Sequence, residues 1–140
     1  TPENVIDRIL HVIKIIFSNR EETQILNKGC NIEDMIKYAS THFDQISKEK
    51  VKLLDIEIIE EIISNKSLKL EDEDSLLLFI LDLYSQDVKY SRLFEYVYFF
   101  NVKKETLRTF IQTFSIDDLN TGIWQSICKR LISKEHEADS

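Results

Sequence analysis

The sequence is short of turn-forming residues, with two glycines and a single proline in 140 residues. Tight hairpins draw on glycine, asparagine and proline at their turns, so this scarcity argues against a turn-rich β architecture. Disorder is excluded by the other end of the composition, 43% hydrophobic and 10% aromatic residues. Long apolar runs are missing too. Nothing approaches the roughly 20 uninterrupted apolar residues that cross a bilayer, so no membrane partner is expected. Cysteine is sparse: Cys30 and Cys128 stand far apart. That usage suits a reducing compartment better than a small disulfide-stapled secreted domain, and it makes the cytoplasm, or else the nucleus, the expected location. Positive charge is in deficit, 18 Lys and Arg against 25 Asp and Glu. The formal charge of −7 repels phosphate backbones, so no nucleic-acid partner is expected. The one basic cluster, Lys48, Lys50 and Lys52, alternates with Ser47, Glu49 and Val51 and reads as a solvated face. The chain opens on Thr1 with no basic leader before an apolar stretch, and is read as a piece of a longer chain with no targeting signal of its own.

What is present is helical periodicity. Thr1 and Pro2 suit a helix start, followed by Val5, Ile6, Ile9, Leu10, Val12, Ile13, Ile16 and Phe17 at helical spacing. Asn19 with Glu22 resembles a capping box for a short helix through Leu26, ended by Gly29, with Cys30 in the turn. Asn31 opens a helix carrying Ile32, Met35, Ile36, Ala39, Phe43 and Ile46. Ser47 is expected to cap a short turn of helix over Lys48 to Leu53, and Asp55 to begin another with Ile56, Ile59, Ile62 and Ile63 on one side. In the acidic run Glu71 to Asp74, Asp72 serves as a cap and Glu73 and Asp74 sit at the positive end of the helix dipole. Leu76, Leu77, Phe79, Ile80, Leu83 and Tyr84 then give a long apolar face. Tyr90 to Val102 is read as a helix running into an extended link, with Leu93, Phe94, Val97 and Phe100 inward. A helix from about Lys104 to Phe114 carries Leu107, Phe110 and Ile111, and a last one carries Ile123, Trp124, Ile127, Cys128, Leu131 and Ile132, ahead of a polar tail from Ser133. No linker composition and no fixed-period repeat interrupts this pattern. The expected fold is therefore all-α, a single bundle of about eight short antiparallel helices. Ile36, Phe43, Ile59, Leu76, Phe79 and Ile80 are expected to share its core.

The pattern offers no reaction. His11, His42 and His136 are widely separated and lack the close His, Cys or carboxylate neighbours of a zinc site, so no metal is expected. His42 is read as a boundary residue of its helix, with partner contact as the other role. A calcium loop counted from Asp72 puts Leu77 where the glycine belongs and Leu83 where the bidentate glutamate belongs. Neither cysteine has the sequence context of a catalytic nucleophile, and Cys128 falls on the apolar stripe of the last helix. Two glycines do not make a phosphate-cradling loop, so no cofactor is expected. Aromatics dominate interface anchors, and Trp124, Tyr90, Phe94, Tyr96, Tyr98, Phe99 and Phe100 are the aromatic candidates. Most are assigned to the core, with Tyr96 and Tyr98 as the exceptions that reach a partner.

From Asn31 to Leu83 the residues resemble the BACK domain, the helical module that follows a BTB domain in many adaptors of cullin-type ubiquitin ligases. Ile36, Ala39, His42, Phe43 and Ile46 resemble that family's opening helix with its "F-x-x-I" ending, followed by Leu53, Leu54 and Asp55. The segment IIEEIISNKSLKLEDEDSLLLFI, Ile58 to Ile80, is similar to the family's short helix, serine-containing turn, "L-x-L" and acid-capped long helix. Tyr90 to Leu131, with LFEYVYFFNV and FSIDDLNTGIWQSICKRL, is nearer to protist BTB-BACK proteins than to animal Kelch adaptors. The resemblance implies a BACK-like helical domain over 31–133, a linker or end-of-BTB helical pair over 1–30 and a polar tail over 134–140. It further implies a cullin and a substrate protein as partners, and homodimerisation of the intact protein through a BTB domain outside this chain. By analogy with such adaptors, a cullin would meet the outward side of the helices from Ile32 to Ile63, where the polar positions Asp34, Lys37, Tyr38 and Thr41 alternate with the core stripe.

The function expected is thus a non-enzymatic protein-interaction module that positions a substrate or partner. Two other classes stand beside it. A structural helical spacer would lack any sizeable exposed apolar patch. An enzyme with dispersed acid and base residues would gather several of His11, His42, Glu73 and Asp74 in a polar pocket.

Overall fold

The computed structural model describes residues 8–11 and 32–138, and every described regular element is helical, with no strand among them. The all-α class is therefore observed. Expectations placed on residues 1–7, 12–31 and 139–140 lie outside the described residues, although within the first apolar run Leu10 is buried and His11 exposed. No helix among the described residues is long and apolar enough to cross a membrane. The chain divides into two compact units, Thr1–Leu70 and Glu71–Ser140.

In the first unit α1 (Ile32–Thr41) leads through a 3-10 turn, η1 (Phe43–Gln45), to α2 (Lys48–Val51) and α3 (Ile56–Ile63). The three-and-four spacing of Ile36, Ala39 and Phe43 buries one side of this stretch, and α1 packs on α3 through it. On α3 the buried residues are Ile58, Ile59, Ile62 and Ile63. Ser40 lies fully inside, and its hydroxyl donates to the Ile62 carbonyl at 2.8 Å while its own carbonyl accepts from the Lys69 amide at 3.1 Å. One small polar residue thus ties α1 both to α3 and to Lys69 near the end of the unit, which satisfies groups that would otherwise be buried without partners.

Two expectations are corrected in this unit. Ser47 and Asp55 occupy the positions before α2 and α3, yet neither side chain caps; only their carbonyls accept, from Lys50 and Val51 and from Ile58 and Ile59. Lys48 is not part of a solvated face. Its ammonium donates to the carbonyls of Phe43 at 2.7 Å and Ile46 at 3.3 Å and stands 4.1 Å from the centre of the Phe43 ring. Burial pulls its pKa below the usual lysine value, with the charge of Asp44 opposing the shift. Lys52, by contrast, makes an ordinary ion pair with Glu49 at 3.2 Å.

The second unit begins with α4 (Glu73–Gln86), started by Asp72, whose Oδ1 accepts from the Ser75 amide at 2.7 Å as its sequence position implies. Seven residues of α4 are buried, including Leu76, Phe79, Ile80 and Tyr84, so the helix is covered on most of its circumference. The six expected core residues are all buried: Ile36, Phe43 and Ile59 in the first unit, Leu76, Phe79 and Ile80 in the second. Between Asp87 and Val102 the chain forms two 3-10 segments, η2 (Val88–Tyr96) and η3 (Phe99–Asn101), joined by Val97 and Tyr98, in place of an α-helix and an extended link. Then follow α5 (Lys104–Thr113), η4 (Ile116–Asp118) and α6 (Thr121–Ala138).

An aromatic cluster holds this unit. Phe94 meets Tyr84, Phe110 and Phe114 edge to face at 5.5, 5.1 and 5.4 Å between ring centres, and Phe99 reaches Phe110 at 5.0 Å. At its edge the Tyr84 hydroxyl donates to Asp118 Oδ2 at 2.5 Å and accepts from the Ser115 amide at 3.1 Å, which fastens the η4 segment to α4. Burial and the bond to Asp118 raise the Tyr84 pKa. Asn120 caps α6 by accepting from the Ile123 amide at 2.8 Å. Close approach is provided for at Gly122, where a Cβ would lie 2.6 Å from Glu95 Oε2 and 3.2 Å from Glu95 Cβ.

Phe94→Ala is expected to remove about 3–5 kcal/mol of stability, because the cavity is walled by three other rings. Ile111→Ala, on the outward side of α5 at 66% exposure, is expected to stay within about 0.5 kcal/mol. Urea denaturation of the two variants beside the native chain checks both.

Candidate interaction surface

The segment from Val97 to Lys103 alternates in exposure: Val97, Phe99 and Val102 are buried, while Tyr98 and Phe100 stand outward at 56% and 40%. Its own bonds are few, Asn101 amide to Tyr98 carbonyl at 2.9 Å and Val102 amide to Phe99 carbonyl at 3.1 Å. Two helices supply the rest. From α6, Ser126 Oγ donates to the Val97 carbonyl at 2.5 Å, and Arg130 Nη1 donates to the carbonyls of Phe99 and Val102, each at 2.6 Å. From the start of α4, Glu73 Oε2 accepts from the Tyr98 amide at 3.3 Å and Asp74 Oδ1 from the Lys103 amide at 2.9 Å. Carbonyls are thus met on one side by donors and amides on the other by carboxylates, which fixes the backbone that carries the two outward rings. Those rings form a T-shaped pair with centres 5.8 Å apart.

The electrostatics follow from this arrangement. Arg130 is buried, with the two carbonyl oxygens as its hydrogen-bond acceptors among the described residues. Glu73 is pushed above the usual glutamate pKa, first by burial and then by the charges of Asp72 and Asp74, against which the Tyr98 amide pulls it down. Asp72 moves the other way, held low by its bonds to Ser75 and by the charge of Lys103.

Of the residues singled out from sequence, Asp34, Lys37, Tyr38 and Thr41 share one face of α1. Asp34 and Lys37 are exposed and Tyr38 and Thr41 half-buried. Thr41 is turned inward on its own helix, donating to the Lys37 carbonyl at 2.8 Å. Tyr38 stacks on His42 with ring centres 4.1 Å apart and planes inclined by 22°. His42 Nδ1 lies 2.9 Å from the Tyr38 carbonyl, so that nitrogen carries the proton, because a carbonyl only accepts. Tyr96 and Tyr98 belong to the second unit; Tyr98 is exposed and Tyr96, at the end of η2, half-buried.

The last helix corrects the sequence reading. Among its described side chains, through Ile132, the buried ones are Ile123, Ser126 and Arg130, while Trp124, Leu131 and Ile132 are exposed at 52%, 57% and 68%, and Ile127 and Cys128 lie at the border. Hydropathy selects the Trp124, Ile127, Leu131 stripe; the fold buries the adjacent one because its polar groups complete the bonding of Val97 to Val102. Phe100, assigned inward, is outward, whereas Phe99 lies in the core as expected. Ile111 is also exposed. Glu73 and Asp74 lie in the first turn of α4, as read, and in addition act as acceptors for a distant segment. Among the described residues no group of three or more His, Cys, Asp or Glu is placed to hold a metal ion.

Arg130→Met is expected to cost about 1–3 kcal/mol, since the Val102 carbonyl loses its donor and the Phe99 carbonyl keeps only the Val102 amide, and to speed amide exchange over 97–103. Glu73→Gln keeps an acceptor for the Tyr98 amide and removes a charge. A raised folded pKa contributes stability below the ordinary glutamate value that is lost as pH rises through the folded value. The variant should therefore be at least as stable as the native chain at neutral pH, and that advantage should vanish in urea titrations below about pH 4.

No protein-family model, curated protein or solved structure matches the chain.

Proposed function

We propose that the chain is a non-enzymatic protein-interaction module that positions a partner or substrate protein. The observation that carries this reading is the Tyr98 and Phe100 pair: two large rings held outward on a backbone anchored by Ser126, Arg130, Glu73 and Asp74. Outward rings add little to folding, whereas tyrosine and phenylalanine on a fixed backbone bind with little ordering cost. The finer reading is a BTB-BACK adaptor of a cullin-type ligase. Its support is the BACK-like pattern of Asn31 to Leu83 and the shared α1 face of Asp34, Lys37, Tyr38 and Thr41.

In the full-length protein, a photo-cross-linking phenylalanine analogue in place of Tyr98 is expected to capture a protein partner, and the same analogue in place of the equally outward Ile111 is not. Tyr98→Ala should weaken that complex about tenfold. Equal capture from both positions, or none from Tyr98, overturns the reading. The adaptor role is tested by comparing cullin affinity of BTB plus this domain with that of BTB alone. The longer chain should bind more tightly and lose the gain when Tyr38→Ala is combined with Lys37→Glu.

A further inference from the structure

We propose that the Tyr98 and Phe100 pair receives a basic segment of the partner protein, with an arginine side chain laid against the Tyr98 ring and its charge toward the carboxylates that open α4. This deepens the interaction-module reading and rests on it.

Three observations set the sign of the partner's charge. The Tyr98 amide is bonded to Glu73 Oε2 at 3.3 Å, so the aromatic pair is rooted at the acidic end of α4. Asp72, Glu73 and Asp74 are consecutive there; burial above all, with the charges of Asp72 and Asp74 added, disfavours an ionised Glu73, and an arriving cation offsets those charges where an arriving anion adds to them. The cations in the same stretch are Lys103 and Lys104; Lys103 acts on Asp72, whose pKa it helps to lower. Across the whole unit, Glu71–Ser140, 13 Asp and Glu stand against 8 Lys and Arg, so the longer-range field favours the same sign.

The rings set the preferred cation. An exposed tyrosine face attracts a guanidinium, which is planar and weakly hydrated, more than an ammonium. The T-shaped arrangement at 5.8 Å keeps Phe100 beside Tyr98, where its ring covers the aliphatic part of an adjacent side chain. Tyr98, Phe100 and Asn101 are all outward, so a peptide reaches the pair without any rearrangement of the buried residues between them.

The test uses two fluorescein-labelled synthetic peptides of equal length, one with three arginines spaced by leucine and serine, the other with glutamates in their place. They are titrated against the 140-residue chain at physiological salt. The arginine peptide should bind at least tenfold more tightly. Tyr98→Ala with Phe100→Ala should weaken it fivefold or more, and so should Glu71→Gln with Glu73→Gln. Glu57→Gln with Glu61→Gln, the same change in net charge on the exposed side of α3, should leave it within twofold. Equal binding of both peptides, or equal loss in the two charge variants, overturns the basic-segment proposal. Cross-linking from Tyr98 that persists alongside such a result leaves the interaction module standing with a partner of other chemistry; loss of both removes the two together.

Discussion

The second unit depends on how seven residues without a regular ladder satisfy their backbone. Val97 to Lys103 can close only a single turn of 3-10 helix, so most of its polar groups must find partners elsewhere. Helix side chains answer from both directions, Ser126 and Arg130 as donors and Glu73 and Asp74 as acceptors. That division places α4 and α6 around the segment, lets Phe99 enter the aromatic cluster, and leaves Tyr98 and Phe100 outside it.

The same constraint explains what could be read in the sequence and what could not. Helical class follows from periodicity and from the scarcity of turn residues, and the buried positions of α4 follow from near-continuous hydrophobicity. Asp72 is legible as a cap because capping is a local bond between near neighbours. Ser126 and Arg130 are not legible, because their partners lie 29 and 31 residues away, and a helix read by hydropathy turns such residues to solvent. The register of α6 is accordingly displaced to its neighbouring stripe, and Trp124 and Leu131 pass from core to surface. Ser40 is hidden for the same reason; its bond to Ile62 spans 22 residues. Tyr98 is exposed on a stretch, Val97 to Phe100, that alternates between buried and exposed. Phe100 has the same alternation and was hidden by helical counting.

The two units use a long basic side chain alike, half-buried in the first and buried in the second. Lys48 and Arg130 each face pairs of backbone carbonyls at the ends of short 3-10 turns, η1 and η3, where carbonyls outnumber the amides available to them. A cation is suited to this task because one group serves two acceptors. These turns are not ended by left-handed residues, since no described residue has a positive φ. Long basic side chains close these turns instead.

Gly122 shows how such packing bears on the chain's capacity to vary. Glu95 occupies the space that any side chain at 122 would enter, at 3.2 Å from its Cβ as well as at its carboxylate. The two positions are therefore coupled: growth at residue 122 requires the Glu95 carboxylate to swing aside and its Cβ to give by a few tenths of an ångström. Helix propensity at the first turn of α6 is thus weighed against residue 95: a shorter side chain there leaves propensity to decide, whereas the glutamate adds the cost of its own displacement.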